Sequence, residues 1–184
     1  GTMPAPKPFQ RGNSTSWDLQ VDPSQLGVFI TVKDQKGKEY AGTINRYAQI
    51  EVGGLPPALE EMELTVDIPG HFTVYKPFHV GYLDDNGNIT AHWNPELEIE
   101  AAIPGDVNKD DVIDILDAIY LELNWGTNER RADINFDKMV DAKDMKYIQD
   151  HYLMKNQTAS TTPEPKEIHE GKTLEDILTK LGLN

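Results

Sequence analysis

The 184-residue chain carries 31 Asp and Glu against 17 Lys and Arg, a net charge of −14. That balance argues against a nucleic-acid partner, because phosphate binding draws on basic patches, and it suits calcium, solubility or a basic partner. With no cysteine, disulfides, thiolate metal sites and cysteine nucleophiles are excluded; no apolar run approaches the ~18 residues of a membrane helix, so no membrane insertion is expected.

Residues 1–15 are rich in Pro, Gly, Ser and Asn and read as a flexible leader, with Gly1-Thr2-Met3 resembling a cloning remnant. No secretory signal pattern is visible. From 16 to 103 the pattern changes to short runs that alternate apolar and polar residues with period two. These are Leu26–Val32, Tyr47–Val52, Met62–Ile68, Phe72–Tyr75 and Leu97–Ala101. Turn sequences separate them: Asp34-Gln35-Lys36-Gly37, Gly53-Gly54, Pro69-Gly70 and Asp85-Asn86-Gly87-Asn88, the last a good hairpin turn. Many short strands without a helical segment predict a β-sandwich. Gly54-Leu55-Pro56-Pro57 and Pro69-Gly70-His71, in that order, resemble the carboxypeptidase-regulatory-like sandwiches, and a generic immunoglobulin-like sandwich has nearly the same pattern.

Pro104-Gly105 breaks the alternation, and the chain becomes helical. Ile115–Trp125 and Ala142–Met154 space their apolar residues by three and four, and Gly126 closes the first helix. Residues 156–184 return to a Thr/Pro/Glu linker composition and then form a short helix. Thr173 is its N-cap, Asp176 the acid three positions later and Gly182 its terminator. A helix this short is marginal alone, so its Leu174, Ile177, Leu178 and Leu181 face is expected to bury.

The helical region contains a repeat. Residues 106–117 and 133–144, offset by 27, agree at five of twelve positions: the first, third, fifth, ninth and twelfth. Every identity bears a side-chain oxygen. Calcium takes six to eight oxygen ligands, and a twelve-residue loop wrapped around one ion uses these positions plus the carbonyl of the seventh. The predicted ligands are Asp106, Asn108, Asp110, Val112 (carbonyl), Asp114 and Asp117 in the first loop. In the second they are Asp133, Asn135, Asp137, Met139 (carbonyl), Asp141 and Asp144. Two calcium ions are therefore expected as cofactors. The apolar eighth positions, Ile113 and Val140, suit a short strand pairing between the two loops. The sixth position, often glycine for the sharp turn, is Asp111 in one loop and Lys138 in the other. Asp tolerates left-handed backbone better than Lys, so the second loop is expected to lose more affinity.

Neither loop has room for an entering helix, unlike a full EF-hand. Loop-then-helix in duplicate, opening on Gly105-Asp106-Val107-Asn108, resembles the dockerin family. The expected fold class is thus multidomain β plus α: a sandwich over 16–103, a small all-α dockerin-like calcium module over 104–155, and a linker with a C-terminal helix over 156–184. The resemblance implies a secreted or cell-surface location and a cohesin-type domain as partner. It also implies partner contacts at loop positions ten and eleven, which are Ile115, Leu116, Ala142 and Lys143.

The five histidines show no metal-ligand spacing, and Trp17, Trp93 and Trp125 read as core or interface anchors. No phosphate loop, Ser/His/Asp order or paired-carboxylate motif stands out, so no enzyme is expected. The rival expectation is a calcium-stabilised structural appendage of a secreted hydrolase, such as a serine protease or glycosidase, with no cohesin partner.

Overall fold

A computed structural model describes residues 2–4, 22–91, 97 and 99–184. Most of the expected leader, together with Trp17, Trp93 and His92, lies outside these residues. The described chain divides into two compact units. One comprises residues 2–4, 22–67 and 74–101, and the other residues 68–73 and 102–184.

The first unit is built on one antiparallel sheet. Its strands are β1 (Thr2–Pro4), β2 (Phe29–Lys33), β3 (Glu39–Ile44), β4 (Gln49–Val52), β5 (Met62–Asp67) and β6 (Val74–Phe78). They lie in the order β1-β4-β3-β2-β5-β6. The central register pairs Thr31 with Ala41 on one side and with Thr65 on the other. Alternation works as its physics requires. Ile30 and Val32, Ile50 and Val52, and Met62, Leu64 and Val66 are buried, while their neighbours along each strand are more exposed. Gly42 sits where a Cβ would meet Ile30 Cγ2 at 2.6 Å and Val52 Cγ2 at 2.9 Å, so a side chain there would force the two flanking strands to shift. β7 (Gly81–Leu83) and β8 (Ile89–Ala91) form a separate hairpin around the Asp84–Asn88 turn, as that turn sequence predicts.

Two expectations are corrected here. The first unit is not a sandwich of two packed sheets but a single six-stranded sheet plus a two-stranded hairpin. Period-two patterning reports that a strand has one buried face; it does not report how many sheets share that face. Residues 97 and 99–101, read as a strand, have no regular structure. β3, by contrast, was not among the expected strands. Its exposed face carries Glu39, Ala41 and Thr43 and its half-buried face Tyr40, Gly42 and Ile44, so an alanine outside and a glycine inside weaken its alternation.

The second unit is not a separate all-α module either. It holds α1 (Ile115–Leu123), α2 (Ala142–Asp150) and α3 (Leu174–Leu181), and also a short ladder of β9 (Ile168–His169) and β10 (Lys172–Thr173). Residues 68–73 join it by an His71–Pro104 bridge and a Gly105 N–H bond to the Gly70 carbonyl at 2.8 Å. One core spans the whole unit: Phe72, Val107, Ile113, Ile115, Leu121, Ile134, Val140, Met145, Ile148 and Ile177 all belong to it. The all-α expectation fails because the segment read as linker folds back. Thr173 and Asp176 form the expected capping box, and Gly182 ends α3 at φ 72°. Ile177 is fully buried, and Glu122 at the end of α1 accepts from Lys172 Nζ at 2.9 Å and also from Lys180. Among the described residues no helix is long and apolar enough to cross a membrane.

Ile177→Ala should therefore cost about 2–5 kcal/mol of stability in chemical denaturation, as for other buried aliphatic truncations. Leu123→Ala, at a position 78% exposed, should stay within ~0.5 kcal/mol.

Candidate functional site

The two twelve-residue segments fold into the same loop, bond for bond. In the first, Asp106 Oδ1 accepts from the Asp110 amide at 3.1 Å and Oδ2 from the Asp111 amide at 3.1 Å. In the second, Asp133 accepts from the Asp137 amide at 3.0 Å and the Lys138 amide at 2.8 Å. Asn108 and Asn135 each accept from the amide two residues on, and each donates its Nδ2 to the fifth-position carboxylate, at 3.0 Å in one loop and 3.1 Å in the other. The fifth-position carboxylates, Asp110 and Asp137, accept from the Val112 and Met139 amides.

The twelfth-position carboxylates close each loop onto its helix. Asp117 Oδ1 accepts from the amides of Val107 at 2.9 Å and Asn108 at 3.2 Å, and Oδ2 from that of Asp114 at 2.8 Å. Asp144 repeats this with Ile134, Asn135 and Asp141. The ninth positions, Asp114 and Asp141, are the N-caps of α1 and α2, and with Asp117 and Asp144 they form capping boxes. The backbone repeats as well: the fourth and sixth positions are left-handed in both loops, with φ of 63° and 68° at Lys109 and Asp111 and of 58° and 72° at Phe136 and Lys138.

Burial makes these carboxyls costly to ionise. Burial raises Asp106 to about 7, Asp117 to about 8 and Asp144 to about 7, with the nearby Asp106 and Asp133 charges adding to the rise at Asp117 and Asp144 respectively. Asp110 and Asp133 are also raised by burial.

Among the described residues, as they are placed, no three His, Asp or Glu side chains form a group that could hold a metal ion. The donor set still fits a hard cation. Each loop offers only oxygen donors, and a carboxylate oxygen that accepts one amide keeps a further lone pair. Lys109 beside Asp106 and Arg130 beside Asp133 and Asp144 favour the charged forms, but burial outweighs them at all three carboxyls.

The surroundings of the loops differ. The first is bound on several sides within its unit. Asn156, buried, donates Nδ2 to Asp111 Oδ1 at 2.7 Å and to the Thr73 carbonyl at 2.6 Å. Lys109 donates to the carbonyls of Ile68 and His71. Asp114 Oδ2 accepts from the Lys166 amide at 2.7 Å. In the second loop Arg130 lies over the Phe136 ring, 4.7 Å from its centroid, and Lys143 pairs with Asp137 at 2.9 Å. The eighth positions do not pair with each other as expected. Ile113 exchanges backbone hydrogen bonds with Leu153 and Met154, and Val140 with Gly126 and Thr127.

Of the expected partner contacts, Ala142 and Lys143 are exposed and Leu116 is half-buried. Ile115 is fully buried in the unit's core, so the expectation that it faces a partner is corrected. His71 is buried with Nδ1 3.0 Å from the Pro69 carbonyl, and burial lowers its pKa to about 3, so it stays neutral. Asn156, Thr73 and Lys166 were not anticipated. Asn156 and Lys166 meet the first loop across 45 and 52 residues of sequence, and Thr73 meets Asn156 across 83, where no local pattern carries a signal.

No protein-family model matches the chain, and no curated protein sequence matches it. Solved structures do match in fold. One is a chain of a type II cohesin–X-dockerin complex from Acetivibrio cellulolyticus carrying a C-terminal interface mutation. It is 12% identical with a TM-score of 0.52, over 84% of this chain and 96% of that one. Another comes from the N-terminal interface mutant of the same type of complex, at 14% identity, a TM-score of 0.51, and coverage of 84% and 97%. The chain therefore shares its fold with a component of these assemblies.

Two measurements test this geometry. The raised carboxyls contribute stability that is complete below their unfolded value near 4 and is lost as pH rises through 7–8. With a chelator present, the melting temperature of this unit should fall between about pH 4 and pH 8. Asn156→Ala should cost about 1–3 kcal/mol, because it leaves a buried carbonyl and the Asp111 carboxylate short of a donor.

Proposed function

We propose that the second unit binds two calcium ions and docks, without catalysis, onto a cohesin-type domain of another secreted or cell-surface protein. The observation that carries the reading is the bond-for-bond repetition of an oxygen-rich twelve-residue loop leading into a helix. The matched complexes pair a cohesin with an X-dockerin, and the loop–helix repeat supports the dockerin side for this chain. Asp106, Asn108, Asp110, Asp114, Asp117 and the Val112 carbonyl would hold one ion. Asp133, Asn135, Asp137, Asp141, Asp144 and the Met139 carbonyl would hold the other.

Bound calcium would add positive charge among carboxylates that burial makes costly to ionise, tying loop to helix. The chain's own part is to hold the loop closed through Asp117 and Asp144 and to keep Ile113 and Val140 in the core. The exposed start of α2, with Ala142 and Lys143, is the face left to a partner, since Ile115 is covered. That covering also favours the second reading, a calcium-stabilised structural appendage of a secreted hydrolase with no cohesin partner.

Calorimetric titration of metal-stripped protein should show two calcium ions per chain, with a rise in melting temperature of the unit. Asp117→Asn and Asp144→Asn should each remove one ion; at a hundredfold excess over Kd each lost ion forfeits about 2.7 kcal/mol of stabilisation. Immobilised type II cohesin should then capture the protein in calcium and release it in chelator. Calcium uptake without capture would leave the structural reading, and no uptake would overturn both.

A further inference from the structure

We infer that Lys143 is an internal counter-cation of the second loop, which must leave Asp137 before that loop takes calcium, so that the second loop is the weaker of the two. The inference rests on the calcium reading above and concerns this chain's own residues. Lys143 occupies the eleventh position of its loop and Asp137 the fifth, and Nζ stands 2.9 Å from Asp137 Oδ2. Asp137 already accepts from the Asn135 amide group and the Met139 N–H. The ammonium shares Oδ2 with the Asn135 amide, while Oδ1 accepts from Met139, so its positive charge sits on a carboxylate that a bound cation would also need.

In the first loop the eleventh position is Leu116, and Lys109, at the fourth, acts on Asp106 by charge while donating to the carbonyls of Ile68 and His71. The loops differ in charge as well. Residues 106–117 contain five Asp and one Lys, and residues 133–144 four Asp and two Lys. An ion pair with a 67% exposed lysine is weak, so its competition is bounded at about fivefold in affinity.

The test is calorimetric calcium titration of the metal-stripped full chain as wild type, Lys143→Gln, Lys146→Gln and Asp133→Asn. Two steps of unequal affinity are expected, with Asp133→Asn abolishing the weaker. Lys143→Gln should tighten the weaker step about three- to fivefold and leave the stronger unchanged. Lys146, which pairs with Asp150 outside the loop, serves as control, and its substitution should change neither step. The inference is overturned if Lys143→Gln leaves the weaker step unchanged or weakens it, or if Asp133→Asn abolishes the stronger one. Absence of calcium uptake by every variant, wild type included, marks failure of the calcium reading instead.

Discussion

Asp117 and Asp144 each join the start of a loop to the start of the helix that follows it. Three backbone amides converge on each buried carboxylate, two from the loop's opening residues and one from the helix N-cap. Without that acceptor, the amides of Asn108, Ile134 and Asn135 would lose the acceptor that holds them at a buried or half-buried position, at a cost comparable to a lost hydrogen bond each. The same contact fixes where α1 and α2 begin. It thereby sets which of their faces carry Ala118, Leu121, Met145 and Ile148 into the core.

This closure leaves several carboxyls close together at low exposure. Backbone amides stabilise the charged forms, but burial outweighs them, which is why Asp106, Asp117 and Asp144 sit near neutrality. An arrangement that gathers several carboxyls at low exposure, where Lys109 and Arg130 offset only part of the burial cost, is poor as pure stability design. It is reasonable as a receptor for a hard cation, where the electrostatic cost in the free state becomes affinity in the bound one.

The two copies differ in their neighbours rather than in the five oxygen-bearing positions they share. The first loop is gripped by Asn156, Lys166 and the 68–73 segment, and Ile115, whose N–H donates to the Lys166 carbonyl at 3.1 Å, is fully buried. The second is held at its rim by Arg130 against Phe136 and by the exposed Lys143–Asp137 pair. The repeat thus comprises one loop held by distant segments and one whose helix start is exposed at Ala142 and Lys143, against a half-buried Leu116 in the first.

The residues alone determined the twelve-residue repeat, the capping box and limits of α3, and the hairpin turn around Asp85-Asn86-Gly87-Asn88. Each of these depends on contacts within a few residues, where side-chain type and spacing dictate geometry. Only the tertiary structure decided that the β region is one sheet rather than two, because period two marks a buried face without naming what covers it. Only it decided that the 156–184 segment belongs to the unit's core, since burial of Ile177 and the Glu122 pairing join residues some 50 apart. And only it decided which predicted contact residue stays exposed. Ile115 and Ala142 occupy the same position in the repeat, and a distant segment covers one and leaves the other bare.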